Sequence, residues 1–140
     1  MEIDIRCECF EVDWKIVSET LKRVGMAFYE PETHRKAFEA SHTTVFVYHA
    51  ARLIGFGRAI SDGVYQGAVY DVAVVPDLQR KGIGTIIMKK ILERLPECNI
   101  ILYATPGKEA FYEALNFRKM KTGMACFRNS EKMKEKGFTE

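Results

Sequence analysis

Asp77-Leu78-Gln79-Arg80-Lys81-Gly82-Ile83-Gly84-Thr85 stands between an apolar run, residues 69–75, and a segment whose pattern predicts a helix over residues 82–95. Glycine lets the backbone take positive φ and approach a ligand closely. The first N–H groups of a helix have no acceptor within it and lie at the positive end of the helix dipole. Arg80 and Lys81 set full positive charges beside them. A turn of this kind is a cradle for an anion, best for a phosphate or pyrophosphate.

The rest of the fold can be read outward from this turn. Residues 68–75 are almost wholly apolar, as expected of a central strand covered on both faces, with Asp71 as the exception. Pro76 ends that strand. In the helix, Ile83, Ile86, Ile87, Ile91 and Leu95 fall near one stripe, and Pro96 stops it. Another apolar strand follows at 99–104. Strand, helix and strand form a βαβ unit with parallel strands and a right-handed crossover. Ligands of such sheets bind at the carboxyl ends of the strands, where the glycine turn lies.

Toward the N-terminus, residues 3–10 alternate as a strand. Residues 13–24 place Trp14, Val17, Leu21 and Val24 at helical spacing, opened by Asp13 and stopped by Gly25. A second, short helix is predicted at 32–40, then strands at 43–49 and 53–60. Gly55 and Gly57 imply a bend or a close neighbour. Toward the C-terminus, Thr105-Pro106-Gly107 turns into a helix at 108–115, capped by Asn116. Residues 117–121 and 124–128 read as a hairpin around Thr122-Gly123, and 129–140 as a polar, frayed tail. The expected fold class is α/β: one domain over residues 1–140, a mixed sheet of about six to seven strands flanked by about four helices.

Composition narrows the function. A length of 140 residues suits one domain, and a net charge of +2 gives no electrostatic case for nucleic-acid binding. Met1-Glu2-Ile3-Asp4-Ile5 lacks the basic and apolar regions of a signal peptide. No apolar run approaches the roughly 18 residues of a membrane span. The expectation is a cytoplasmic protein with its four cysteines reduced and no membrane partner. Cys7 and Cys9 share a strand face, but no second Cys or His pair follows at zinc spacing, so no metal is expected.

Two glycines alone do not name a ligand. A dinucleotide fingerprint wants a third glycine where Ile87 stands, and a P-loop wants Gly-Lys-Ser/Thr, which is absent. The motif is Gln-x-x-Gly-x-Gly directly after an apolar strand ending Val-x-Pro-like, Asp71-Val72-Ala73-Val74-Val75-Pro76. A second patch is Ala110-Phe111-Tyr112-Glu113-Ala114-Leu115-Asn116-Phe117. On these two patches and its element order, the chain resembles the GCN5-related N-acetyltransferase (GNAT) superfamily, in particular its small bacterial members. The second patch is similar to the family's FYxxxGF segment, with Asn116 in place of glycine.

The resemblance implies the acyl-CoA N-acyltransferase fold and acetyl-CoA as co-substrate. Its pyrophosphate would be held by Gln79, Arg80, Lys81, Gly82, Ile83, Gly84 and Thr85. The family's strand before the turn carries a β-bulge that splays it from its parallel neighbour, and the pantetheine arm pairs with the exposed edge. Here that edge would be Val72, Ala73 and Val74, with a Val74 N–H near the thioester carbonyl. Phe111 and Tyr112 would contact the donor, and Tyr112 matches the family tyrosine that acts as general acid toward the sulfur. The glutamate of histone-type members falls at Ala68, so that base is missing. Asp71 is the candidate base, with Glu30, His34, His42, Tyr70 or a water chain as alternatives. Cys126 is read as a buried residue of the last strand rather than a nucleophile.

The implied reaction is direct acetylation of a primary amine of a small molecule or protein. Phe28, Tyr29, Tyr65, Tyr70 and Tyr103 offer aromatic surface, and Glu30, Glu32, Asp62 and Asp71 offer charge that attracts an ammonium group. Dimers are common in the family, and residues 124–127 could join a homodimer. Two rival readings are an acyl-CoA sensing module without transfer activity and a partner-binding domain that has lost the cofactor.

Overall fold

The structure is a computed structural model describing Met1–Glu140. The chain forms two compact units, Met1–Leu102 and Tyr103–Glu140. The first unit contains β1 (Asp4–Arg6), α1 (Trp14–Arg23), α2 (Pro31–Glu39), β2 (Thr43–His49), β3 (Arg52–Ser61), β4 (Gln66–Val74), a 3-10 turn (Pro76–Leu78), α3 (Ile83–Glu93) and β5 (Asn99–Ile101). The sheet order is β1-β2-β3-β4-β5. The first four strands pair antiparallel and β4 pairs β5 in parallel, giving the βαβ unit around α3.

The two faces of the sheet are built differently. On one, Phe46, Tyr48, Leu53, Phe56 and Ala73 pack with Val17 and Leu21 of α1 and Phe38 of α2. Asp13 starts α1 by accepting the Lys15 N–H at 3.1 Å, so the apolar stripe of α1 begins where the sequence predicts. On the other face lies α3, which buries Ile83, Ile87, Met88 and Ile91. Each such side chain contributes about 1.5–3 kcal/mol by leaving water. Gly55 and Gly57 of β3 let that helix approach: a Cβ on Gly57 would stand 2.9 Å from Ile87 Cγ2.

The second unit holds α4 (Glu109–Glu113) and α5 (Ser130–Glu135). Asn116 takes φ +70°, while the Phe117 and Asn116 N–H groups return to the carbonyls of Tyr112 and Glu113. This is a Schellman ending, and asparagine tolerates the left-handed conformation that glycine usually supplies. The Phe117 ring meets Tyr112 edge-on at 5.9 Å, the apolar contact that accompanies the motif.

Several expectations are corrected. The sheet has five strands, not six to seven, and there are five α-helices rather than four. β5 ends at Ile101, and no hairpin forms at 117–128. Gly123 lacks the positive φ of a tight hairpin turn, Met124 is 98% exposed, and only Phe117 and Phe127 of the segment are half-buried. A hairpin without a buried face is marginal. Cys126 is accordingly exposed rather than buried, and residues 124–127 offer no strand for a dimer. Within the tail, Ser130–Glu135 form α5. Asn129 caps α5 through the Lys132 N–H, and Gly137 ends the helix at φ +86°. Phe138 then packs edge-on against Tyr103 at 5.7 Å.

Candidate functional site

The glycine turn follows β4 directly. Gln79 donates from Nε2 to the Val74 carbonyl at 3.1 Å, folding the turn back on the strand end. Arg80 and Gly82 take φ of +63° and +83°. Gly82 is the N-cap of α3, and no side chain caps the helix. The N–H groups of Ile83, Gly84 and Thr85 therefore open the helix without a side-chain acceptor from the chain. Arg80 and Lys81 are exposed beside them. The turn's carboxylate, Asp77, is gripped by both Arg52 Nη atoms at 3.0 Å, which holds it below the usual carboxylate range. Its charge is thus paired, and the field of the turn stays positive.

Upstream, β4 carries a bulge. Phe56 pairs with Ala73, but Arg58 pairs with Tyr70, so Asp71 and Val72 together face Gly57. Asp71 is the extra residue, at φ +58°. Pairing with β5 involves only Gln66, Gly67 and Ala68, opposite Asn99, Ile100 and Ile101. The β4–β5 ladder ends at Ala68. The Val75 N–H donates to Ile54 at 2.9 Å, toward β3. Backbone groups alternate along a strand, so those of Val74 and Val72 point to the open side. Val72 and Val74 are half-buried, while Ala73 is buried against the α1–α2 face. The bulge has its extra residue at Asp71, immediately before Val72.

The candidate bases are differently placed. Asp71 Oδ2 accepts from Arg58 Nε at 2.7 Å, and both side chains are mostly buried. His34 is 3% exposed, and its Nε2 accepts the Tyr29 N–H at 2.9 Å. Burial is the main cause holding His34 below its usual pKa; Asp71 opposes that shift and Arg58 adds to it. Its basic nitrogen is therefore engaged in anchoring the loop before α2. His42 is exposed, with Nδ1 2.9 Å from Thr43 Oγ1. Among the carboxylates expected to attract an ammonium group, Asp62 Oδ1 accepts the N–H groups of Val64, Tyr65 and Gln66, and Glu32 pairs with Arg35. Both are committed to local structure.

Phe111 and Tyr112 belong to the second unit. Their rings meet edge-on at 4.9 Å, and burial pushes the Tyr112 phenol above its usual range. A shallow hollow lined by Arg6, Cys7, Glu8, Phe10 and Arg94 takes in the residue at the far end of α3 from the turn. The candidate site is an open strand edge beside a helix start, not a closed cavity. The free N–H groups at the helix start and the positive charges beside them suit an anion.

A mixed sheet with a short parallel pair at β4 and β5 and an uncapped helix start after β4 defines an α/β domain. The chain belongs to the acetyltransferase (GNAT) domain family, whose match covers residues 14–130. It is 32% identical over 132 residues to serotonin N-acetyltransferase 2, chloroplastic, of Oryza sativa subsp. japonica, covering 87% of this chain and 66% of that protein. It is 39% identical over 100 residues to GCN5-related N-acetyltransferase 1, chloroplastic, of Arabidopsis thaliana, covering 66% of this chain and 51% of that one. The chain thus spans about two thirds or less of the length of these curated relatives. Among solved structures, a GNAT-family acetyltransferase of Streptococcus pneumoniae superposes with a TM-score of 0.77 at 25% identity, covering 91% of this chain and 98% of that one. No helix is long and apolar enough to cross a membrane.

Proposed function

We propose that residues 1–140 act as one acetyl-CoA-dependent N-acetyltransferase domain that moves the acetyl group directly to a primary amine. The uncapped start of α3, opening beside the unpartnered edge of β4, carries this reading. The N–H groups of Ile83, Gly84 and Thr85, with Arg80, Lys81, Gly82 and Gln79, would hold the donor's pyrophosphate. Val72, Ala73 and Val74 would offer strand pairing to its pantetheine arm. Bound acetyl-CoA supplies an acyl carbon activated as a thioester. The Val74 N–H would donate to the carbonyl oxygen as it gains charge. Tyr112, beside Phe111, would give its phenolic proton toward the leaving sulfur, and Asp71 would take the proton lost by the amine. Holding both reactants supplies much of the rate.

The acceptor is a primary amine of a small molecule or protein, with the serotonin of the rice relative's name as one probe. A cytoplasmic, reducing setting in a bacterial cell is part of this reading. A homodimer remains the family expectation, and no nucleic-acid or membrane partner is invoked.

One observation favours the second reading, a sensing module without transfer. Asp71 is gripped by Arg58, His34 is engaged by Tyr29, and Ala68 stands where histone-type members have glutamate. Thiol release from acetyl-CoA over a panel of amines separates the two readings, since an enzyme releases thiol only with an acceptor. Gly84→Asp places a side chain and a negative charge at the helix start. It should raise the acetyl-CoA KM about tenfold or more, the equivalent of one charge-assisted hydrogen bond. An unchanged KM would remove the cradle from the account.

A further inference from the structure

The bulge in β4 places a non-glycine residue, Asp71, at φ +58°. That conformation is unfavourable for an L-residue with a side chain, though aspartate tolerates it better than most. A strand holds it only if something outside the strand over-determines it. The ladder does not do so, since Asp71 is the unpaired extra residue. Its side chain does: Oδ2 accepts from Arg58 Nε at 2.7 Å. Side-chain exposures of 15% for Arg58 and 21% for Asp71 take this pair out of the weak, screened class of surface ion pairs.

Arg58 is itself fixed. Its guanidinium carbon lies 5.7 Å from the Phe38 ring centre and 5.4 Å from that of Tyr70. Its Nη1 donates to Ser41 Oγ at 3.3 Å, and that hydroxyl donates to the Ala37 carbonyl of α2 at 2.7 Å. One planar cation thus links the end of α2, the middle of β3 and the extra residue of β4. Lysine could not reproduce both the stacking and the fork of donors.

We infer that Arg58 is a positioning residue that holds the β4 bulge, and with it the open strand edge. The effect on coenzyme binding rests on the donor reading above, whereas the pinning of Asp71 does not. Arg58→Met keeps length and apolar contact with the two rings but removes the guanidinium. Its Asp71 backbone should leave the left-handed region, read from the Cα and Cβ chemical shifts of residues 71–74. Coenzyme A, titrated by calorimetry, should bind about tenfold more weakly, the equivalent of one charge-assisted hydrogen bond. Arg58→Lys should recover part of both signals. Adding Asp71→Gly to Arg58→Met should restore the positive φ and the affinity, because glycine needs no pin there. A purely structural role would lower Tm and leave shifts and affinity unchanged below the transition, which would overturn the inference. If the wild-type protein does not bind coenzyme A, the donor reading fails alone, and the shifts at Asp71 still decide the pin.

Discussion

Replacing Gly57 by alanine tests how α3 is held on the sheet. The added Cβ would lie 2.9 Å from Ile87 Cγ2, 3.0 Å from Val72 Cγ2 and 3.3 Å from Ile91 Cδ1. Carbon atoms prefer about 3.5–4.0 Å, so the helix and the bulged strand must each give way by several tenths of an ångström. Overpacking of this kind costs about 1–3 kcal/mol. A smaller unfolded-state entropy returns about 0.4–1 kcal/mol of it. The net loss of roughly 1–2 kcal/mol lowers Tm by about 3–7 °C for a chain of this size. Thermal denaturation followed by circular dichroism measures it. Because the Cβ meets Ile87 itself, Gly57→Ala and Ile87→Ala should fail to add, with a coupling of at least about 0.5 kcal/mol. A Tm within about 1 °C of wild type, or strict additivity, would mean that α3 is not clamped at this distance.

Two further outcomes follow from local geometry. The β2–β3 turn is Ala50-Ala51 at φ +48° and +64°, a conformation suited to Asn-Gly, so Ala51→Gly should raise stability by about 0.5–1 kcal/mol in the same melt. Burial holds His34 below its ordinary value of 6.5, so the unfolded chain takes the proton first as pH falls. The His34 contribution is therefore complete above about pH 6.5 and is lost on acidification through the lower folded value. His34→Gln, whose amide oxygen can still accept the Tyr29 N–H, should flatten the fall in urea midpoint on acidification below about pH 6.5. An identical slope in the two proteins would refute this account of His34.

The middle of the sheet was legible because its residues carry their burial in their type. Thr43–His49, Arg52–Ser61 and Gln66–Val74 are strands rich in β-branched and small apolar residues, and the glycine turn was marked by its own spacing. Asn116 was readable as a cap because few other residues sit at φ +70°. The position of the bulge was not readable from sequence physics, since a single charge in an apolar strand does not state its φ. Arg58 was missed although one signal was present: it is the only charged residue within 53–60, on the same strand pair as Asp71. The final hairpin failed for the converse reason. Thr122-Gly123 suggests a hairpin turn, but strand formation needs a buried face, which a turn signal does not provide.

The open edge of β4 has a consequence for the protein's behaviour in concentrated solution. Residues 72–75, Val-Ala-Val-Val, carry no charge and high β-propensity, the signature of a segment that templates other strands. If that edge takes the extended donor proposed above, it is equally available to a strand of another chain. Occupancy by the ligand would then act as a chaperone as well as a step in turnover. Self-association should fall as donor concentration rises above its dissociation constant.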